Sequence, residues 1–144
     1  MFKHELPSDS AGLQLWVAYN RWHSEVMKLL KPLNINHTQF VILASVLWCN
    51  KNKNETTQTE IVNITGLDKM TLSKSMKALV ANNLITKDKG VRDLRSFSLR
   101  LTETGKTLAI NAIAQVEELD QLYFESLKGE RGRFISLLAG LQVP

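Results

Sequence analysis

Two short helical patterns separated by a single glycine, in the middle of the chain, limit its fold more than any other feature. Thr57 and Glu60 have the spacing of a capping box, which marks the first turn of a helix. Gly66 predicts an abrupt end to that helix, because glycine readily adopts the positive φ found at helix C-termini. Asp68 has the side chain of an N-cap for a second helix. Two short helices joined by such a turn are typical of a helix-turn-helix.

Apolar residues recur at helical spacing in both helices and predict which side of each faces the core. The expected inward residues are Ile61 and Ile64 in the first helix, and Leu72, Met76, Leu79 and Val80 in the second. The outward side of the second helix then carries Lys69, Met70, Thr71, Ser73, Lys74 and Lys77. Short polar and cationic side chains at this place can contact base edges and phosphates in the major groove. The alternative is an ordinary exposed helix, on which lysine is common.

A β-hairpin is predicted directly after the two helices. Residues 84–89 and 95–101 have the pattern of two short strands, with Gly90 marking the tip. The hairpin carries Lys87, Lys89, Arg92 and Arg95. A helix-turn-helix followed by a basic hairpin, or wing, predicts a winged helix-turn-helix that binds duplex DNA.

Positive charge is concentrated in this same part of the sequence. The net charge is +4, and residues 68–106 hold nine Lys and Arg against four Asp and Glu. The remaining residues hold nine basic side chains against ten acidic ones. Clustered cations favour a polyanionic partner, because they release condensed counterions from phosphates. On charge alone, a solvated basic surface is an equally good interpretation.

Two further helices are predicted before the helix-turn-helix. The first begins after Ser10 and ends at Pro32. Its apolar stripe comprises Leu15, Tyr19, Trp22, Val26 and Leu29. The second opens at Asn36, where Gln39 completes a variant of the capping box. Its expected apolar side comprises Phe40, Leu43, Ala44, Leu47 and Trp48, and a polar loop is expected from Asn50 to Glu55.

Two helices are also predicted after the wing. Thr102 is expected to cap a long helix that is broken at Gly129, and a last helix ends the chain. Their apolar residues are Leu108, Ala112, Val116, Leu119, Tyr123 and Leu127, then Phe134, Leu137, Leu138 and Leu141. Together with the stripe of the first helix, these stripes present more apolar surface than one small winged domain can cover. An exposed stripe of that size predicts an interaction surface.

Several stretches of the sequence together have the spacing of a known family signature. They are Thr57–Ile61, Gly66–Lys74 and Asn83–Ile85, then Asp93-Leu94-Arg95 and Leu99–Gly105. Residues 57–105 thereby resemble the MarR family of bacterial regulators, whose wing has an Asp-x-Arg followed by Leu-Thr-x-x-Gly. The helical pattern from Ser10 to Leu141 extends the resemblance over nearly the whole chain. Leu94 and Ser75 depart from the family, which often has Arg and an apolar residue there.

The resemblance implies a mostly α fold with a small β-hairpin wing, and a homodimer shaped like a triangle. In this family the first and last helices interlock with those of the partner. Residues 10–33 and 103–144 would then be dimerisation helices and residues 36–102 the winged helix-turn-helix, within a single MarR-like domain spanning 1–144. The resemblance also implies that Asp93 orients Arg95 so that the wing tip enters the minor groove, where narrow regions attract arginine.

Family members often bind small aromatic or phenolic effectors between the dimer helices and the winged domain. Trp16, Trp22 and Trp48 carry rings on the first two helices, and His23 could supply a polar contact. Of these residues, Trp16, His23 and Trp48 are the candidates for an effector site. The alternative is that they are aromatic residues of the core and the dimer interface.

Other functional classes find little support in the sequence. It has no nucleophile motif, paired catalytic carboxylates or Gly-rich phosphate loop, so we expect neither an enzyme nor a cofactor. The three histidines lie apart, and Cys49 has no nearby Cys or His, so no zinc pattern results and a buried, inert thiol is expected. The longest apolar run, Phe40–Cys49, is too short for a bilayer, and no secretion signal is recognisable. The cytoplasm is therefore the expected compartment.

The function that the sequence predicts is sequence-specific binding of double-stranded DNA by a homodimeric transcription regulator. A repressor acting on a pseudo-palindromic operator, released by a small-molecule effector, is the expected form. One alternative is an architectural protein that binds DNA with little sequence preference. The other is a protein-interaction module whose basic face meets an acidic partner.

Overall fold

Six α-helices and one β-hairpin make up the part of the chain that the computed structural model describes, residues 1–52, 55–90 and 97–142. The helices are α1 (Ala11–Leu30), α2 (His37–Asn52), α3 (Gln58–Thr65), α4 (Lys69–Ala81), α5 (Glu103–Tyr123) and α6 (Arg131–Gly140). The antiparallel strands β1 (Ile85–Lys89) and β2 (Phe97–Leu101) lie between α4 and α5. The predicted mostly α fold with a small β-hairpin wing is confirmed.

The predicted helix caps are present. The Ser10 hydroxyl accepts the Leu13 N–H at 3.2 Å, and the Thr102 hydroxyl accepts the Gly105 N–H at 2.9 Å. Asn36 and Gln39 form both halves of their capping box, at 2.8 and 2.9 Å. Each bond satisfies a backbone N–H that has no partner within its own helix. These starts could be predicted because a cap needs only residues three positions apart.

α2 lies at the centre of the fold and packs against α1, α3, α4, α5 and β2. A helix with neighbours on several sides has no single apolar stripe. The predicted apolar side of α2 was therefore wrong in part, because Trp48 is 60% exposed whereas Val46 and Cys49 are fully buried. The helix also continues to Asn52, through the start of the predicted polar loop.

The core-facing sides of α3 and α4 differ from the prediction at one residue each. Ile61 is fully buried and Val62 packs against the core, whereas Ile64 is 51% exposed. Because α3 has only two turns, the neighbouring residues Ile61 and Val62 make its contact with the core. Val80 is exposed. The chain turns back after α4, and Leu84 packs into the core at this end of the helix.

Asn83 forms the turn after α4. This residue has a φ of 59°, the left-handed conformation that asparagine tolerates. The Asn83 N–H donates to the Val80 carbonyl at 3.0 Å, and the Leu84 N–H donates to the Leu79 carbonyl at 2.9 Å. The two bonds form a Schellman motif, and the buried Leu79 and Leu84 accompany it.

The long helix α5 ends at Tyr123, six residues before the predicted break at Gly129. Phe124 follows, with its ring centroid 5.2 Å from that of Tyr123 and 5.8 Å from that of Phe134 in α6. This aromatic contact draws α6 back onto the end of α5. Two short 3₁₀ turns within Glu125–Glu130 connect the two helices, and the chain kinks between them at Lys128, which has a φ of 50°.

Candidate nucleic-acid interface

The turn between α3 and α4 is built from local interactions. Gly66 has a φ of 70°, and a Cβ placed there would meet no atom within 4 Å. Glycine is therefore favoured for its backbone conformation rather than for lack of space. The Thr65 hydroxyl donates to the Ile61 carbonyl at 2.7 Å and accepts the Leu67 N–H at 3.2 Å. These interactions fix the orientation of α4 relative to α3.

Asp68 fixes the first turn of α4. Its Oδ1 accepts the Thr71 backbone N–H at 2.8 Å, and its Oδ2 accepts the Thr71 hydroxyl at 2.7 Å. The backbone hydrogen bond, followed by the hydroxyl bond, lowers the pKa of the Asp68 carboxyl. Because its hydrogen is committed to Asp68, the Thr71 hydroxyl offers a DNA base only its acceptor lone pairs.

The remainder of α4 has one buried and one exposed side. Leu72, Met76 and Leu79 are buried against the core. The predicted contact residues are all exposed: Lys69, Met70, Thr71, Ser73, Lys74 and Lys77. Met70, Ser73, Lys74 and Lys77 have the i, i+3, i+4, i+7 spacing of one helix face. This exposed face is the outer face of α4, and it offers cations, a hydroxyl and a thioether together.

The wing is attached to the helices by Asn50, a residue that the sequence analysis missed. The Asn50 amide donates to the Thr56 hydroxyl at 2.9 Å and to the Leu99 carbonyl at 3.1 Å. Its Oδ1 accepts the Leu101 N–H at 3.3 Å. The Leu99 N–H in turn donates to the Thr56 carbonyl at 2.8 Å. The end of α2, the entry to α3 and β2 are thereby held together.

Lys87 and Lys89 lie on the same face of β1, because side chains two positions apart in a strand point the same way. They pair in register with Leu99 and Phe97 of β2. The Lys87 ammonium lies 4.6 Å from the centroid of the Phe97 ring, a cation–π contact worth about 0.5–1 kcal/mol at an exposed site. The predicted tip residues, Arg92, Asp93 and Arg95, lie outside the described residues.

The junction between the wing and α5 has close backbone packing. The Thr102 N–H donates to the Leu84 carbonyl at 3.1 Å, and its hydroxyl donates to the Asn83 carbonyl at 2.7 Å. A Cβ on Gly105 would overlap the carbonyl oxygen of Leu84. The Leu-Thr-x-x-Gly pattern thus has a structural role, since Thr102 ties the strands together and Gly105 makes the approach possible.

The three candidate effector residues are not brought into one cluster. Trp16 and Trp48 are both exposed, on the first half of α1 and the second half of α2. His23 instead contacts Tyr19 and His37, with ring centroids 5.4 and 4.9 Å away. Within the described part of the chain, neither tryptophan joins these ring contacts.

Cys49 is fully buried, as expected. In residues 1–52, 55–90 and 97–142, no three His, Cys, Asp or Glu side chains are grouped so as to hold a metal ion. Over those same ranges, every helix is too short or too polar to cross a membrane.

A helix-turn-helix with an exposed, cation-bearing second helix and an attached hairpin defines a winged-helix DNA-binding fold. The family model described as "ArnR1-like, winged-helix domain" matches residues 31–119, and the chain belongs to this family. A curated relative from Bacillus subtilis (strain 168), the HTH-type transcriptional regulator YdcH, is 29% identical over 136 residues. That alignment covers 94% of this chain and 90% of YdcH.

Solved structures share the fold over nearly the whole chain. BpsR of Bordetella bronchiseptica, whose DNA binding is regulated by 6-hydroxynicotinic acid, is 22% identical with a TM-score of 0.85, covering 98% of this chain and 99% of BpsR. A variant of MarR from E. coli, complexed with operator DNA, is 19% identical with a TM-score of 0.78, covering 92% and 93%. The resemblance to the MarR family is confirmed, and the chain has the winged-helix fold of that family.

Proposed function

We propose that this regulator binds duplex DNA sequence-specifically by placing α4 in the major groove. The observation that carries the proposal is that all six predicted contact residues of α4 are exposed, four of them together on its outer face. The Asp68 cap and the Gly66 turn hold the beginning of this helix in place. Helices in helix-turn-helix proteins contact base edges with these N-terminal residues. The complex of the E. coli MarR variant with operator DNA supports the same use of the fold.

The wing is proposed to contact DNA beside the major-groove site. Lys87 and Lys89 are exposed on β1 and would meet phosphates, which bind cations irrespective of sequence. By resemblance to the family, Arg95 would reach the minor groove at the wing tip, with Asp93 orienting it, and Arg92 would add a further cation to the wing. In this arrangement α4 contacts the bases directly, and the wing contributes much of the salt-dependent part of the affinity.

The active form is proposed to be a homodimer. Residues 11–20 of α1 are exposed along their whole length, which leaves apolar side chains in solvent. The large exposed apolar residues of α1, the end of α5, α6 and the position after α6 are Leu13, Leu15, Trp16, Val17, Tyr19, Leu122, Ile135, Leu137 and Leu141. A second copy that buries them would use residues 10–33 and 103–144 as dimerisation helices. A two-fold dimer fits a pseudo-palindromic operator, with half-sites about 10 bp apart.

Repression and its release complete the proposal. A dimer bound to an operator can block transcription. A regulator that binds chromosomal DNA in this way is expected to act in the cytoplasm. A small aromatic molecule bound among the helices that carry Trp16, His23 and Trp48 would release the DNA. The regulation of BpsR by 6-hydroxynicotinic acid supports this class of effector.

Selection of bound duplexes from a random library tests the proposed function. The purified chain should enrich a sequence with dyad symmetry and bind it more tightly than a scrambled duplex. Enrichment without a defined site would favour the architectural alternative. Binding to duplex DNA no stronger than to an acidic polypeptide of equal charge would favour the interaction module.

A further inference from the structure

Two histidines meet where α1 contacts the start of α2. The Nδ1 atoms of His23 and His37 are 2.7 Å apart, which is hydrogen-bond distance. Their ring planes differ by 18°, and the ring centroids are 4.9 Å apart. The centroid separation exceeds the nitrogen separation by roughly one ring diameter, so the two nitrogens point at each other. His37 is buried, with 7% of its surface exposed.

The surroundings of the pair connect three helices. The His37 backbone N–H donates to the sulfur of Met27 at 3.2 Å. The ring of Trp22 meets that of His37 edge-on, with centroids 5.0 Å apart, and its Nε1 donates to Asp120 of α5 at 2.8 Å. His23 from α1 and Asp120 from α5 are the titratable groups that act on His37. Nearby Glu25 of α1 forms an ion pair with Lys28.

The hydrogen bond between the rings depends on how many protons the pair carries. A neutral imidazole has one N–H and one lone pair, so two neutral rings, or one neutral and one charged ring, can share the bond. Two imidazolium rings would direct two N–H groups and two positive charges at each other. Burial, followed by the charge of His23, lowers the pKa of His37, and Asp120 opposes this effect in part.

We propose that the His23–His37 pair is a proton-operated latch that holds α1 on the winged-helix domain and opens when both rings are protonated. α1 carries the exposed apolar stripe proposed for dimerisation, whereas α2 supports the wing through Asn50. Opening the latch therefore loosens the link between the dimer and the DNA-binding element. Its effect on DNA binding rests on the proposed function, while its effect on folding does not.

Chemical unfolding at several pH values tests the latch on the full chain. His23→Asn places an amide near the position of Nδ1, where it can still hydrogen-bond but does not titrate. The unfolded wild-type chain takes up one proton more than the folded one at acid pH, so its unfolding constant should rise up to about tenfold per pH unit below about pH 6.5. His23→Asn removes the charge of His23 but leaves His37 buried, so it should weaken this dependence without abolishing it, at equal protein concentration. His4→Asn, which changes an exposed histidine, should leave it unchanged.

Parallel pH dependences for wild type and His23→Asn would overturn the latch. If His23→Asn fails to fold, the NMR titration of the imidazole Cε1 protons in the wild type tests the latch instead. His37 should protonate only clearly below the ordinary histidine range. A His37 ring that becomes charged near its ordinary pKa in the folded protein would contradict the proposal.

DNA binding at two pH values separates the latch from the proposed function. With the selected duplex, the wild type should keep its affinity while one ring is charged and lose it at the lower pH where His37 also becomes charged, which the NMR titration locates. His23→Asn should lose much less, and equal losses would overturn the regulatory part of the latch. A wild-type chain that prefers no duplex at neutral pH would contradict the proposed function. In that case the unfolding and NMR measurements would still test the latch.

Discussion

Gly105 lies where the first turn of α5 passes over the start of β1. A Cβ at this position would overlap the carbonyl oxygen of Leu84, and the other two nearest atoms are also backbone. Backbone cannot rotate aside as a flexible side chain does, so Gly105→Ala should lower the free energy of unfolding by about 1–3 kcal/mol or more. Urea denaturation measures the loss. Gly132→Ala is the control, because a Cβ there meets no atom within 4 Å.

Asn50 is the second residue on which the wing depends. Asn50→Ala removes three hydrogen bonds between α2, Thr56 and β2, and leaves partly buried backbone groups without partners. We expect a cost of about 1–3 kcal/mol in the free energy of unfolding. Asn52→Ala, which removes only a bond to the exposed Trp48 carbonyl, should cost far less. Equal costs for the two variants would show that Asn50 does not hold the wing.

The sequence could predict the local interactions of single residues and not the distant ones. Ser10, Asn36 and Asp68 cap their helices as expected, because a cap is decided within three residues. Asn50 bonds to Leu99, 49 positions away, and His23 bonds to His37, 14 positions away. No spacing rule links such pairs. Only the packing of α2 against the wing and against α1 brings them together.

Among the secondary-structure elements, the order of helices and strands followed from the sequence, whereas the sides of α2 and α3 that face the core were predicted only in part. The period of apolar residues in α4 placed Leu72, Met76 and Leu79 correctly. Ile64 and Trp48 were placed wrongly, because α3 is only two turns long and α2 has neighbours on several sides. The outer face of α4 was predicted well because α4 has one buried side.

The wing and α4 should respond differently to the loss of one side chain. Lys87→Ala or Lys89→Ala should weaken binding to all duplexes about equally, and lower the slope of log affinity against log salt by about 1 if each meets one phosphate. Thr71→Val should alter the preference among bases by about 1–3 kcal/mol. Fluorescence anisotropy on selected and scrambled duplexes measures both effects. Equal losses on both duplexes for Thr71→Val would mean that α4 does not read the sequence.

At the scale of the whole molecule, the exposed apolar stripe predicts self-association. Light scattering should find a dimer at micromolar concentration. Leu137→Glu puts a charge on α6 at the proposed interface and should shift the protein towards monomer, because burying an unpaired charge is costly. Lys128→Glu, outside the apolar stripe, is the control. A wild-type chain that is a folded monomer at that concentration would contradict the dimer.

The outer face of α4 is the surface proposed to read duplex DNA. Anisotropy titration of the selected duplex with Lys74→Ala, which removes one cation from that face, measures its contribution. Lys28→Ala removes the same charge from α1, where Lys28 pairs with Glu25 at the surface. We expect Lys74→Ala to lose about 1–3 kcal/mol of affinity for the selected duplex and less for a scrambled one, while Lys28→Ala binds nearly as the wild type does. Equal affinities of the two variants for the selected duplex would contradict this expectation.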